Sequence, residues 1–109
     1  MRPVSASYLN TPYVASEGDF VEFDNSGGPQ VSLTCRMPPT PGPGWQVTVV
    51  WSKWAAGSPP PVVDFNGHVG TPFLPDVQTS GATVSTTAIT VQGAAQSWIF
   101  DGTQWVNAS

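Results

Sequence analysis

β-Branched residues dominate the aliphatic content of this chain: fourteen valines and eleven threonines stand against three leucines and one lysine. Two heavy atoms on Cβ make such side chains stiff in a helix and well suited to a pleated sheet. No stretch carries a helical apolar period of useful length. Eleven glycines and twelve prolines among 109 residues punctuate the sequence as turns, below the share that marks low-complexity disorder. The expected fold is therefore all-β, a compact antiparallel β-sandwich or small barrel of about seven or eight short strands closed by a C-terminal hairpin.

Alternation locates the strands. Residues 19–24 put Val21 and Phe23 on one face and Glu22 and Asp24 on the other. The turn cluster Asn25, Ser26, Gly27, Gly28 and Pro29 closes this strand. Residues 30–37 alternate strictly, with Val31, Leu33, Cys35 and Met37 expected inward. A stiff loop at residues 38–44 precedes a strand at 45–51, with Trp45, Val47, Val49 and Trp51 on one face. Residues 52–61 read as a loop carrying Trp54. A short strand at 62–65 runs into the Asn66-Gly67 turn, and further short strands are expected at 83–85 and 88–92. Residues 1–18 lack a clean period and read as an N-terminal arm or edge strand before a single β domain at 19–109.

The end of the chain is the most legible part. Asp101-Gly102 between two apolar runs is the mark of a two-residue hairpin turn. That loop pairs Phe100 with Thr103 and Trp98 with Trp105, and it places both tryptophans on one face as a cross-strand pair.

Charge and cysteine content remove several functions. Three basic residues and a net charge of −4 cannot supply the phosphate-neutralising patch that nucleic-acid binding needs. No apolar run reaches the roughly 20 residues of a membrane span, and the first residues lack the apolar core of a signal peptide. A single cysteine forbids an intrachain disulfide, so synthesis in a cytoplasm is expected.

The catalytic inventory is thin, and no enzyme activity, cofactor or metal is expected. His68 is the sole histidine, with Asp64 the near carboxylate for any triad, and it follows a turn where an exposed histidine is unremarkable. Cys35 reads as a small core hydrophobe, not a metal ligand. Glu17, Asp19, Glu22 and Asp24 could attract a hard cation or act as a glycosidase pair, but a solvated acidic rim is the simpler reading. Trp54 is left as an exposed aromatic suited to stacking on a sugar ring or to a subunit contact.

The order of motifs resembles the small β modules of tailed-bacteriophage virion proteins, found in head decoration proteins, head fibres and tail fibres. The matching pieces are Gly18-Asp19 opening a strand, Ser26-Gly27-Gly28 closing it, the strand Val31 to Thr34, and the closing hairpin around Asp101, Gly102, Thr103 and Trp105. Cys35, Arg36, Met37 and Pro38 replace a shorter apolar step. The resemblance implies a structural virion protein, commonly a homotrimer, with no catalytic residues. The start of the module close to Met1, the lack of heptads or collagen triplets and an arm able to reach a neighbour favour a capsid decoration (cement) protein. It would bind the major capsid protein on the outer surface of the virion head, with Tyr8, Tyr13 and Trp54 as contact residues. The alternative is a fibre or receptor-binding carbohydrate-recognition module. A lean aliphatic core also points to stabilisation by self-association.

Overall fold

The computed structural model describes residues 1–73 and 82–109, and among them there is no helix. Ten strands form: β1 (Arg2–Ala6), β2 (Tyr13–Val14), β3 (Asp19–Asn25), β4 (Thr34–Arg36), β5 (Gln46–Trp54), β6 (Val62–Asp64), β7 (Val69–Gly70), β8 (Thr86–Ala88), β9 (Gln96–Phe100) and β10 (Gln104–Asn107). One sheet has six strands in the order β1-β3-β5-β9-β10-β7, the other four in the order β2-β4-β6-β8. The count exceeds the expected one because two-residue strands such as β2 and β7 are too short to show alternation.

From β1 to β9 the chain changes sheet after every strand. Among the first six strands, each one that returns after one excursion to the opposite sheet runs in its predecessor's direction. β1, β3 and β5 thus pair in parallel, as do β2, β4 and β6; β7 also pairs in parallel with β10. Only β6/β8, β5/β9 and β9/β10 are antiparallel. The expected antiparallel arrangement is thus replaced by two mixed sheets. The proline-rich segments explain why hairpins do not form between their flanking strands. Residues 38–44 carry the chain from β4 across to β5, and residues 55–61 carry it from β5 across to β6, with prolines that cannot donate to a ladder.

Side chains from both sheets meet in one core, built around Phe23, Leu33, Val63, Phe65, Trp98 and Trp105. β3 behaves as expected, with Val21 and Phe23 fully buried. β5 is central, between β3 and β9, so Thr48 and Val50 are buried along with Val47, Val49 and Trp51. The expected strand at 30–37 shrinks to β4. Leu33, Cys35 and Met37 point inward, but Val31 is 38% exposed. The N–H of Val31 turns back to the carbonyl of Pro29 at 3.0 Å, and Gln30 accepts a hydrogen bond from Ser58, which holds this stretch in a loop. The strands expected at 83–85 and 88–92 are likewise replaced by β8 between them, because β6 pairs with Thr86, Thr87 and Ala88. Val84 keeps only a bridge to Gly70.

The Asn66-Gly67 turn forms with both residues at positive φ, 53° and 86°, as a primed turn requires. The C-terminal hairpin differs in register. Phe100 pairs with Trp105 and Trp98 with Asn107, so the two-residue loop is Gly102-Thr103 and not Asp101-Gly102. Asp101 stays out of the positive-φ region. Instead its Oδ1 accepts from the Thr103 and Gln104 N–H groups, both at 2.9 Å, and Gly102 alone takes positive φ, at 108°. The shift moves each partner by two positions, so Trp98 and Trp105 still share the core face. Their direct ring neighbours are Phe65, at 6.0 Å from Trp98, and Phe100, at 5.2 Å from Trp105.

Gly102→Val forces a β-branched residue into that conformation and is expected to cost about 1–3 kcal/mol. Trp105→Ala opens a cavity in the core and is expected to cost about 3–5 kcal/mol. Urea unfolding of the two variants checks both values.

Candidate binding surface

The N-terminal segment is folded into its own chain. β1 lies beside β3, and the Arg2 Nε–H donates to Asp19 Oδ1 at 2.9 Å. The Tyr13 hydroxyl donates to Asp19 Oδ2 at 2.6 Å, and the Ser16 N–H reaches the same oxygen at 2.9 Å. Asp19 is therefore a buried tie between β1, β2 and β3, not part of a solvated acidic rim. Burial pushes its carboxyl up, but the Ser16 N–H, the Tyr13 hydroxyl and the Arg2 guanidinium outweigh that and hold it below the ordinary value of 3.8. Burial together with the Asp19 carboxylate drives the Tyr13 phenol up to about 12. Tyr13, expected as a contact residue, has its hydroxyl engaged in this tie.

β1 is an edge strand with little capacity to add another. The Arg2 N–H points into the sheet at the Gly18 carbonyl, so Pro3 and Ser5 face outward. Pro3 has no N–H to offer, and the Ser5 carbonyl is taken by Asn10 Nδ2 at 2.9 Å. A proline and an occupied carbonyl are common means of closing an edge.

Because β1, β3 and β5 are parallel, their carboxyl ends emerge together. Tyr8 and Leu9 follow β1, Ser26 and Gly27 follow β3, and Lys53 and Trp54 finish β5. Tyr8 lies against Gly28, where any Cβ would collide with its ring. The Leu9 side chain is 79% exposed. The turn beneath it is fixed by the Ser7 N–H to Asn10 Oδ1 and the Leu9 N–H to Ser7 Oγ. Ser7, Tyr8, Leu9, Asp24, Ser26 and Gly27 line one shallow recess, and Ser26, Ser52, Lys53 and Trp54 line a second that shares Ser26.

Trp54 belongs to β5 rather than to the loop expected there. Phe23 pairs with Trp51 but Asp24 pairs with Lys53, so Ser52 is an extra residue, a β-bulge. Trp54 then opposes Asn25 and lies on the Trp51 side of the sheet despite the odd spacing. Its ring meets that of Trp51 edge-on at 6.3 Å and remains 42% exposed. Nothing in the sequence marks Ser52 as the bulge. Leu9, Ser26 and Lys53 were likewise not picked out, since only the convergence of three chain segments brings them together.

The other candidate residues are engaged elsewhere. Asp64 pairs with Arg36 at 3.5 Å and accepts the Asn66 N–H at 2.8 Å, while His68 packs edge-on against Phe100 at 5.1 Å. The two do not form a catalytic pair among the described residues. Nor do the described residues bring three or more His, Cys, Asp or Glu side chains together in a metal-binding group. Cys35 is buried in the core, and burial, with a smaller contribution from Asp19, pushes its thiol up to about 12. No protein-family model matches the chain, and it has no significant match among curated proteins.

Two outcomes follow from these environments. A group held below its ordinary value stabilises the fold above that value, and the contribution is lost as pH falls through the folded value. Stability is therefore expected to decline as pH drops below 3.8. Asp24, held down by the Ser26 hydroxyl and N–H, and Asp101, held down by the Gln104 and Thr103 N–H groups, act in the same sense. Asp19→Asn should remove its own share of that slope in urea titrations at stepped pH. Cys35, buried and protonated, should resist a thiol reagent in the native protein at neutral pH and react fully once urea unfolds it.

Proposed function

We propose that the protein is a structural component of a tailed-bacteriophage virion: a capsid decoration (cement) protein on the outer surface of the head. In this reading the two sheets stack as a sandwich. The protein assembles as a homotrimer and stabilises contacts between major capsid protein subunits. The observation that carries the proposal is the tip formed by Tyr8 and Leu9. A highly exposed leucine beside an aromatic ring is mounted on a hydrogen-bonded turn. Tyrosine is among the residues that anchor interfaces, and the exposed leucine beside it adds apolar area for a protein partner to desolvate. The motifs behind the phage resemblance also bear on this tip. Gly28 makes room for Tyr8, and Ser26 and Gly27 line the recess beside it. Since the arm is bound within its own chain, the shell contact is assigned to the tip and not to a free extension.

Mixing the protein with expanded, undecorated heads of the phage that encodes it tests this directly. The wild type is expected to co-sediment with the heads, and Leu9→Asp to weaken binding by about tenfold or more with an unchanged melting temperature. Native mass spectrometry is expected to show a trimer. Labelling of the tail tip in place of the head, or only monomer at micromolar concentration, would overturn the proposal.

A further inference from the structure

We infer that the recess at the end of β5 is a saccharide-binding subsite, in which Trp54 is the platform for one pyranose ring of a neutral or N-acetylated sugar. A pyranose has a face of C–H bonds and a periphery of hydroxyls. The negative face of an indole attracts the first, and the second needs both donors and acceptors within reach. The recess holds both. The Trp54 ring is almost half exposed and is braced edge-on by the buried Trp51. Ser26, Ser52 and Lys53 line the recess with it. Ser26 Oγ donates to Asp24 and Ser52 Oγ to the Phe23 carbonyl, which leaves each oxygen lone pairs with which to accept. Lys53 has three donor positions; it pairs in register with Asp24 and its charge helps to hold that carboxyl down, but no close ion pair ties it among the described residues.

The bulge is the second, independent observation. An unbulged β5 would send Trp54 to the face opposite Trp51. The extra residue at Ser52 puts both on the same side, and re-aiming a side chain is a known use of such bulges. The turn that follows fixes the platform: the Ala55 N–H donates to Ser58 Oγ at 2.9 Å, and that hydroxyl lies 3.1 Å from the Asn25 carbonyl. A platform held in place before the ligand arrives loses little order on binding. A flat protein partner suits this recess less well, because Ser26 and Gly27 interrupt the apolar surface between Trp54 and the Leu9 tip.

The subsite does not depend on the capsid assignment, and its test uses different residues. Isotope-labelled full-length protein is titrated with glucose, galactose, mannose, rhamnose or N-acetylglucosamine while the five indole N–H signals are followed by NMR. At least one sugar is expected to shift the Trp54 signal with a dissociation constant in about the millimolar range, as befits a single ring. Trp54→Ala should abolish binding, Trp54→Tyr should retain it more weakly, and Lys53→Ala should weaken it several-fold. The Tyr and Lys53 variants keep the test decisive if the Ala variant fails to fold. No movement of the Trp54 signal with any of the five sugars would overturn the inference. So would equal binding in Lys53→Ala and Trp54→Tyr to that of the wild type.

Discussion

Crossing from one sheet to the other after each strand obliges the two sheets to form together. β4 lies in the chain between the paired β3 and β5, and β5 lies between the paired β4 and β6. Each parallel ladder therefore closes a long loop, and loop-closure entropy must be overcome before the pairing contributes. What offsets it is the shared core. Trp98 from the larger sheet packs edge-on against Phe65 beside the smaller one, while Leu33 and Met37 flank β4 with no exposed surface at all. Residues of both sheets share one buried cluster, so disrupting either sheet exposes apolar surface of the other.

Asp19 does for the polar side of this arrangement what Phe65 and Trp98 do for the apolar side. A buried carboxylate is costly unless its lone pairs are occupied. Here the donors come from Arg2 in β1, Tyr13 in β2 and Ser16 just before β3. These groups come from the first three elements of the chain and both sheets. The tie converts a polar N-terminal stretch, with almost nothing to bury except Ala6 and Ala15, into a paired edge strand. An N-terminal arm free to reach a neighbour does not exist in this arrangement.

Much of this was legible residue by residue, and what was not has identifiable causes. Alternation reports which face of a strand is buried, and Val21, Phe23, Leu33, Cys35 and Met37 all lie where their spacing places them. It does not report which strand lies alongside, so parallel pairing through the opposite sheet left no trace in the pattern. Val31 obeyed the alternation and still came out exposed, because Pro29 and the Ser58–Gln30 bond govern that stretch. In the hairpin, Asp101-Gly102 and Gly102-Thr103 are both acceptable loops. The choice falls to the Asp101 carboxylate, whose three contacts to Thr103 and Gln104 are available only when Asp101 lies outside the loop. Tyr8 and Trp54 were visible as unplaced aromatics, but the recesses they border were not.

The parallel pairing missed by the alternation pattern is also what creates the candidate surface. In an antiparallel meander, consecutive strands end at opposite edges, and the segments after β1, β3 and β5 would be dispersed. Running β1, β3 and β5 in one direction brings residues 7–9, 26–28 and 53–54 to a single end. Side chains separated by dozens of residues then meet on strands that are themselves rigid. The amino ends of the same strands gather at the other end, where Asp19 has its oxygens occupied by Arg2, Tyr13 and Ser16. That end holds the chain terminus, and Met1, Glu17, Gly18, Asp19, Gln46 and Thr48 line a recess there. At the other end Leu9 and Trp54 stay exposed, and the difference between the two ends follows from strand direction.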